Sequence, residues 1–147
     1  MFTAGLLFVV LYNFAAVSAS IRGNCKPSGG TFTHPEKLLD PLVEGVQKRV
    51  PSHPSYDCEK ERAAYTKIVL DEEEMRNEYP GVTFTKDLTY KTEKEGHSAA
   101  NPVELIDEAL QSWSKDLQEI QATTFGCNID SDESEKTTTY TIGCLFN

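Results

Sequence analysis

The chain has few of the residues on which most enzyme and metal sites depend. It contains only three histidines, His34, His53 and His97, and no HExxH, GxSxG, GxGxxG or phosphate-loop pattern. Its four cysteines form no CxxC pair, and their long spacings are unlike those of a zinc site. The sequence therefore predicts a protein without enzyme activity, a metal ion or a cofactor.

Positive charge is scarce as well. The 14 Lys and Arg residues are outnumbered by 23 Asp and Glu residues, which gives a formal net charge of -9 at pH 7. An acidic surface repels phosphate backbones, and the chain has no cluster of basic residues that would attract anionic lipid. We therefore expect no nucleic-acid partner.

Only one long apolar run is present, at the N-terminus. Residues 6–17 are almost wholly apolar, and Val17-Ser18-Ala19 then places small residues where a signal peptidase cuts. The run is shorter than the roughly 20 residues that span a bilayer. No Lys or Arg precedes it, and an uncleaved anchor is the alternative interpretation. We predict a signal peptide over residues 1–19, a secreted, extracellular protein and no membrane span in the mature chain.

The chain that remains after cleavage has the size of one domain. Residues 20–34 are rich in Gly, Ser and Thr and predict an extended N-terminal arm, followed by a single domain over residues 35–147. All four cysteines lie in the mature chain: Cys25, Cys58, Cys127 and Cys144. An even number of cysteines in an exported chain predicts two disulfides, with three possible pairings.

Apolar residues at steps of three and four predict three helices, over residues 41–50, 58–78 and 102–121. Asp40, Asp57 and Asn101 precede them and are suitable N-caps. Proline follows Asp40 and Asn101, and proline is well tolerated at the first helical position. The acidic run 71–74 is interpreted as a solvated helix face, and Trp113 as a core residue.

Strands are predicted in two regions. Alternating apolar residues indicate an extended segment over residues 82–93, before a loop over 94–100. The C-terminal segments 123–129 and 137–146 are rich in β-branched and aromatic residues, and the polar stretch 130–136 between them suits a hairpin turn. The dipeptides Gly126-Cys127 and Gly143-Cys144 lie on these strands, where glycine permits close backbone approach.

The cysteine positions favour one of the three disulfide pairings. Cys127 and Cys144 would bridge the two hairpin strands, and Cys25 with Cys58 would attach the arm to the second helix. The alternative pairings cross these two halves of the chain and remain open on the sequence alone.

Four segments resemble motifs of the CAP superfamily (the SCP/TAPS proteins), in the same order along the chain. Tyr56–Ala64 resembles the YDC-x-LE-x-x-A helix start, and Glu108–Leu117 is similar to the helix with a W-x-x-E-L pattern. Thr124–Ile129 resembles the T-x-FGC-x-V strand, and Tyr140–Phe146 the final Y-x-x-V-C-x-Y strand. The resemblance is nearest to secreted nematode proteins of the activation-associated kind and to coccidian surface antigens, which implies a parasite protein with an SCP domain.

The family signature GHYTQ-x-x-W is missing. Only residues 114–123 separate the tryptophan helix from the FGC strand, where that signature should lie, and His97 precedes the helix. The signature supplies residues of the family's cavity site, so the resemblance implies a shortened domain without a metal-binding cleft. The expected fold is α+β: an α-β-α sandwich of about three helices on a small antiparallel sheet that ends in a C-terminal hairpin.

The resemblance and the export signal together predict a function outside the cell. We expect a non-enzymatic interaction or immunomodulatory module of the SCP-like type, with an extracellular protein, such as one of a host, as its partner. The alternative is an extracellular carrier of lipid or of a small hydrophobic ligand, because CAP-like domains present apolar grooves between helices.

Overall fold

The structure, a computed structural model, describes residues 20–23, 25–26, 35–96 and 101–147, with Pro35 and Glu36 described by their backbone alone. The predicted signal peptide, most of the arm, His34 and His97 lie outside these residues. The described chain contains five helices and four strands. In chain order they are α1 (Pro35–Arg49), β1 (Ser55–Tyr56), α2 (Cys58–Val69), α3 (Glu72–Glu78), β2 (Lys86–Glu95), α4 (Pro102–Ser112), α5 (Ser114–Glu119), β3 (Thr124–Glu133) and β4 (Thr137–Phe146).

The four strands form one sheet in the order β1-β3-β4-β2. The predicted hairpin is confirmed: β3 and β4 pair antiparallel with Cys127 opposite Cys144, and the turn is shorter than predicted. β2 pairs antiparallel with the other side of β4 and is displaced toward the C-terminus from the predicted 82–93. β1 is parallel to β3, so the sheet is mixed and not purely antiparallel as expected. A two-residue strand is too short to leave a pattern in the sequence.

Helices cover both faces of the sheet, which confirms the predicted α+β class and the α-β-α layering. α1, α4 and α5 share the larger apolar core with one face of β2, β3 and β4. That face contributes alternate residues, as a pleated strand requires. From β3 these are Phe125, Cys127 and Ile129, and from β4 Tyr140, Ile142, Cys144 and Phe146. α2 and α3 cover the opposite face, where a smaller core contains Ala63, Ala64, Met75, Val82 and Leu145.

The first helix begins earlier than predicted. α1 begins at Pro35 and includes Pro41, because Leu38 and Leu39 are buried and extend the apolar stripe toward the N-terminus. Pro41 and Lys37 are both exposed, so water can reach the carbonyl group that the missing proline N–H leaves free.

The other two predicted helices are each divided in two, which explains five helices where about three were expected. The chain breaks after Val69, and Asp71 then caps α3. It breaks again at Trp113, which is only 4% exposed and is a core residue, as predicted.

Two of the three predicted helix caps are confirmed. Asp57 accepts the N–H of Glu59 at 2.8 Å at the start of α2, and Asn101 accepts that of Val103 at 3.1 Å at the start of α4. The predicted cap at Asp40 is wrong, because α1 starts five residues earlier and contains Asp40 within it.

Two glycines bring α2 close to the sheet. A Cβ atom on Gly126 would lie 2.4 Å from the Glu61 nitrogen, and one on Gly143 would lie 2.5 Å from Cγ2 of Ile68. Both distances are shorter than a van der Waals contact allows. The close backbone approach that was predicted from the two Gly-Cys dipeptides is therefore confirmed at Gly126, whereas at Gly143 the close neighbour is a side chain.

Candidate functional site

Two disulfides fix the chain around α2 and the hairpin. Cys25 is bonded to Cys58, with Cα atoms 5.4 Å apart, and this bond attaches the arm to the first residue of α2. Cys127 is bonded to Cys144 across the hairpin, with Cα atoms 4.0 Å apart. This is the pairing that the sequence analysis favoured over the two crossed alternatives.

A buried cluster of charged and polar groups lies beneath the arm. The guanidinium of Arg22 donates two hydrogen bonds of 2.8 Å to the Glu61 carboxylate and one of 3.1 Å to Asp40. Glu61 is 1% exposed and Arg22 8% exposed. The hydroxyl of Tyr56 donates to the same carboxylate at 2.6 Å and accepts the N–H of Cys127 at 3.3 Å. The cluster thus joins the arm, α1, α2 and the sheet.

The electrostatics of this cluster hold Arg22 and Tyr56 each in one protonation state. The hydrogen bond with Glu61 and its negative charge raise the pKa of Arg22 even though burial opposes the charge. Burial raises the pKa of Tyr56 well above its ordinary value, and the nearby charge of Glu61 raises it further. Arg22 therefore stays cationic and Tyr56 neutral at physiological pH. The arrangement serves to attach the arm.

A surface groove lies between α2 and α3, on the side away from the larger core. It has a volume of about 370 Å³. Its lining residues are Arg62, Tyr65, Thr66, Val69, Leu70, Glu78 and Tyr79. Leu70 is 62% exposed and Val69 41% exposed, both high values for aliphatic side chains of this size. We call this region, with these seven residues, the α2–α3 groove.

The break between the two helices creates the groove. α2 ends when the Leu70 N–H bonds to the carbonyl of Thr66 at 2.9 Å, and the carboxylate of Asp71 then accepts the N–H of Glu74 at 2.8 Å to start α3. The hydroxyl of Thr66 donates to Glu78 at 3.0 Å across the groove floor. Below it Met75 is fully buried and fixes α3 against the sheet layer. The groove is therefore held by local capping and by one buried anchor.

The two tyrosines of the groove remain neutral. Burial raises the pKa of Tyr65, and the negative charge of Asp130 adds to the effect. Burial also raises the pKa of Tyr79, with a further contribution from the charge of Glu78. Each ring offers an apolar face and a hydroxyl, which is the combination that binding surfaces favour.

The groove was missed in the sequence because helical periodicity continues across residues 69–72. The acidic run from Asp71 to Glu74 was interpreted as a solvated face, and Glu73 and Glu74 are indeed exposed. The signal that was missed is the spacing of Asp71 and Glu74. It matches a capping box, in which an N-cap residue is followed three positions later by an acidic residue. Such a pattern inside a helical segment indicates a new helix start.

The described part of the chain shows no grouping of three or more His, Cys, Asp or Glu side chains that could hold a metal ion. His53 is exposed, with its Nδ1 atom 3.2 Å from the carbonyl oxygen of Gln47. None of the helices in the described ranges is both long and apolar enough to cross a membrane.

The fold defines a disulfide-bonded α-β-α sandwich of the α+β class. Residues 25–146 match the family described as Ancylostoma-associated secreted protein related (ASPRs). The match covers most of the chain, so the protein belongs to this family. No curated protein and no solved structure matches the chain. The family match confirms the resemblance found in the sequence and agrees with a divergent CAP-type secreted protein.

Proposed function

We propose that the protein is an extracellular, non-enzymatic interaction module that binds another protein through the α2–α3 groove. The exposure of Leu70 and Val69 beside the two groove tyrosines is the observation that carries the proposal. Contiguous exposed apolar residues with a polar rim are typical of protein-binding surfaces. The family description, of a secreted protein, and the two disulfides support a location outside the cell.

The charge around the groove suggests the chemistry of the partner. α3 presents Glu72, Glu73, Glu74 and Glu78 within seven residues, and Arg76, the basic residue of this helix, is already bonded to Glu72 at 2.6 Å. The whole chain carries a formal charge of -9. A partner with an apolar side chain flanked by Lys or Arg would match the α3 side of the groove, since Arg62, the basic residue of the lining, lies on α2, and opposite charge would speed its association.

The buried carboxylate supports a role without catalysis. Glu61 is the one carboxylate among the described residues that is almost fully buried, and such a group is often a catalytic candidate. Here both of its oxygens accept hydrogen bonds from Arg22, and one also accepts from Tyr56. These hydrogen bonds explain the burial of the Glu61 carboxylate by a structural role.

The test is affinity capture from extracellular fluid with a matched pair of variants. Leu70→Glu places a charge in the groove, whereas Val103→Glu places the same charge on α4, where Val103 is 66% exposed on the other layer. We expect saturable capture by the wild-type protein and by Val103→Glu, and at least tenfold weaker capture by Leu70→Glu, because anchor residues dominate interface energy. Equal capture by both variants would contradict the groove, and no saturable partner at micromolar concentration would contradict the function.

A lipid or small hydrophobic ligand remains the second candidate, because apolar side chains line much of the groove. The groove is open to solvent at Leu70, which suits a surface-bound side chain better than an enclosed acyl chain. Native mass spectrometry of the secreted protein, followed by sterol and fatty-acid titrations, distinguishes the two. A bound lipid that Leu70→Glu displaces would favour the function as a lipid carrier. A ligand-free protein that binds neither sterols nor fatty acids would exclude that function.

A further inference from the structure

We propose that two copies of the chain pair through β2 to form one continuous eight-stranded sheet. β2 is the last strand in the order β1-β3-β4-β2, and it runs for ten residues with β4 as its neighbour on one side. Among the described residues no strand covers the other side. A long unpaired edge carries a row of free N–H and C=O groups and is a ready template for a further strand.

The charges along this edge suit a second copy of the same strand. Lys91 and Glu93 are exposed, and neither forms an ion pair with any described residue. Three other charged residues of the strand are occupied: Lys86 bonds to Asp116 at 2.9 Å, Asp87 to Lys67 at 3.0 Å and Lys94 to Glu108 at 2.7 Å. Glu95 is exposed and forms no ion pair with any described residue. Lys91, Glu93 and Glu95 are thus the free charges that a partner strand would meet.

Only certain alignments bring opposite charges together. When two identical antiparallel strands are related by a two-fold axis, the axis passes between one residue and its own copy. We call this residue the centre of the alignment. With Thr92 at the centre, Lys91 of each copy faces Glu93 of the other, which gives two ion pairs. Directly opposite side chains lie on the same face about 4.5–5.5 Å apart at Cβ, close enough for opposite charges to attract.

The neighbouring alignments are less favourable. Centring on Tyr90 sets Lys86 against Lys94 and Asp87 against Glu93, and centring on Lys91 sets that lysine against itself. Like charges directly opposite each other are destabilising.

Centring on Thr89 pairs Asp87 with Lys91, but Asp87 is already bonded to Lys67. Centring on Glu93 pairs Lys91 with Glu95 but sets Glu93 against its own copy. The geometry therefore favours the alignment centred on Thr92.

A charge-exchange series tests the pairing. Sedimentation velocity of the secreted protein over about 10 µM to 1 mM should detect a dimer of the affinity that a small interface gives. Lys91→Glu and Glu93→Lys should each weaken dimerisation by about tenfold, and the double exchange should restore it. Lys115→Glu, an equal charge change at an exposed position of α5, should leave it unchanged.

An engineered cysteine tests the alignment itself. The four native cysteines are bonded to each other, so a new thiol is the only free one. Thr92→Cys should form a disulfide-linked dimer on mild oxidation, whereas Thr89→Cys, six residues out of alignment with its copy, should not.

Three results would overturn the proposal. They are a protein that stays monomeric at 1 mM, a dimer that resists both charge changes, and a monomer whose β2 instead binds an extended segment of another protein. The proposal does not depend on the α2–α3 groove, because Leu70→Glu leaves β2 unchanged and should dimerise like the wild-type protein.

Discussion

The two faces of the sheet are covered in different ways. On one face, α1, α4 and α5 enclose large apolar side chains such as Phe125, Phe146 and Trp113. On the other face, α2 lies against two glycines, the apolar cluster is small, and an ion pair between Arg22 and Glu61 is buried at its edge. The first layer depends on apolar volume, whereas the second depends on close fit and on charge pairing.

The two layers also differ in their relation to the proposed function, because the α2–α3 layer contains the groove and the other layer contains the larger core. The larger-core layer leaves the single apolar side chain of Val103 exposed, on α4, whereas the α2–α3 layer leaves Val69 and Leu70 exposed together beside a groove. The close glycine contacts and the disulfide at Cys58 hold α2 firmly, so its exposed side is presented by a rigid support. A binding surface supported in this way loses little conformational entropy when a partner binds.

The largest expected effect comes from breaking the buried ion pair. Glu61→Ala leaves the Arg22 guanidinium buried without its main partner, which should lower the free energy of unfolding by about 3–5 kcal/mol. The double variant Arg22→Met/Glu61→Leu removes both charges and should recover most of that loss. Urea unfolding with the disulfides intact measures both. A loss below about 1 kcal/mol for Glu61→Ala would show that the cluster is not needed to hold the second layer.

The glycine contacts should give an intermediate effect that differs between the two sites. A methyl group at Gly126 meets the backbone of α2, which cannot move easily, so Gly126→Ala should cost about 1–3 kcal/mol. At Gly143 the obstacle is the Ile68 side chain, so Gly143→Ala should cost less.

Thermal unfolding measures this difference. The control combines each glycine substitution with Ile68→Ala, which shortens the side chain that faces Gly143. Gly143→Ala should cost less in an Ile68→Ala background than in the wild-type background, whereas the cost of Gly126→Ala should be the same in both. A Gly126→Ala variant as stable as the wild-type protein would contradict the close approach of α2 that the comparison of the faces requires.

The smallest expected effect is at the N-cap of α2, and it depends on pH. Burial opposes ionisation of Asp57, but the N–H of Lys60, the Lys60 ammonium and the N–H of Glu59 outweigh it and lower the pKa of its carboxyl group. A lowered pKa adds stability above the ordinary aspartate value of about 3.9 and loses it as the pH falls through the folded-state value.

Asp57→Ala should therefore reduce the free energy of unfolding by about 1 kcal/mol at pH 7, and the difference from wild type should shrink below about pH 4. Unfolding curves at pH 7 and at lower pH measure it. A difference that grows on acidification would have the wrong sign. The matched control Asp57→Asn, whose amide oxygen can still accept a backbone N–H, should retain part of the cap without the pH dependence.

Local signals in the sequence were sufficient for much of the fold. Asp57 and Asn101 were predicted as caps from their residue type and position. The prediction succeeded because a cap is local: its side-chain oxygen bonds to an N–H group two residues along the chain. The alternation of β3 and β4 indicated the hairpin. The break after Val69 was missed because the apolar spacing of α2 continues through it, although Asp71 carried a cap signal.

The remaining features depend on contacts between distant parts of the chain. Arg22 and Glu61 are separated by 39 residues, and nothing near either residue indicates the other. α1 extends through Pro41 because burial of Leu38 and Leu39 outweighs the loss of one backbone hydrogen bond. The groove follows from the missed break and was therefore not predicted either.

Hydrogen exchange of the protein with its captured partner tests the central claim most directly. If the α2–α3 groove is the binding surface, mass spectrometry should find slower amide exchange in residues 62–79 on complex formation, and unchanged exchange in α4 (Pro102–Ser112). Protection confined to α4 or to the larger-core layer, with residues 62–79 unaffected, would contradict the proposed function.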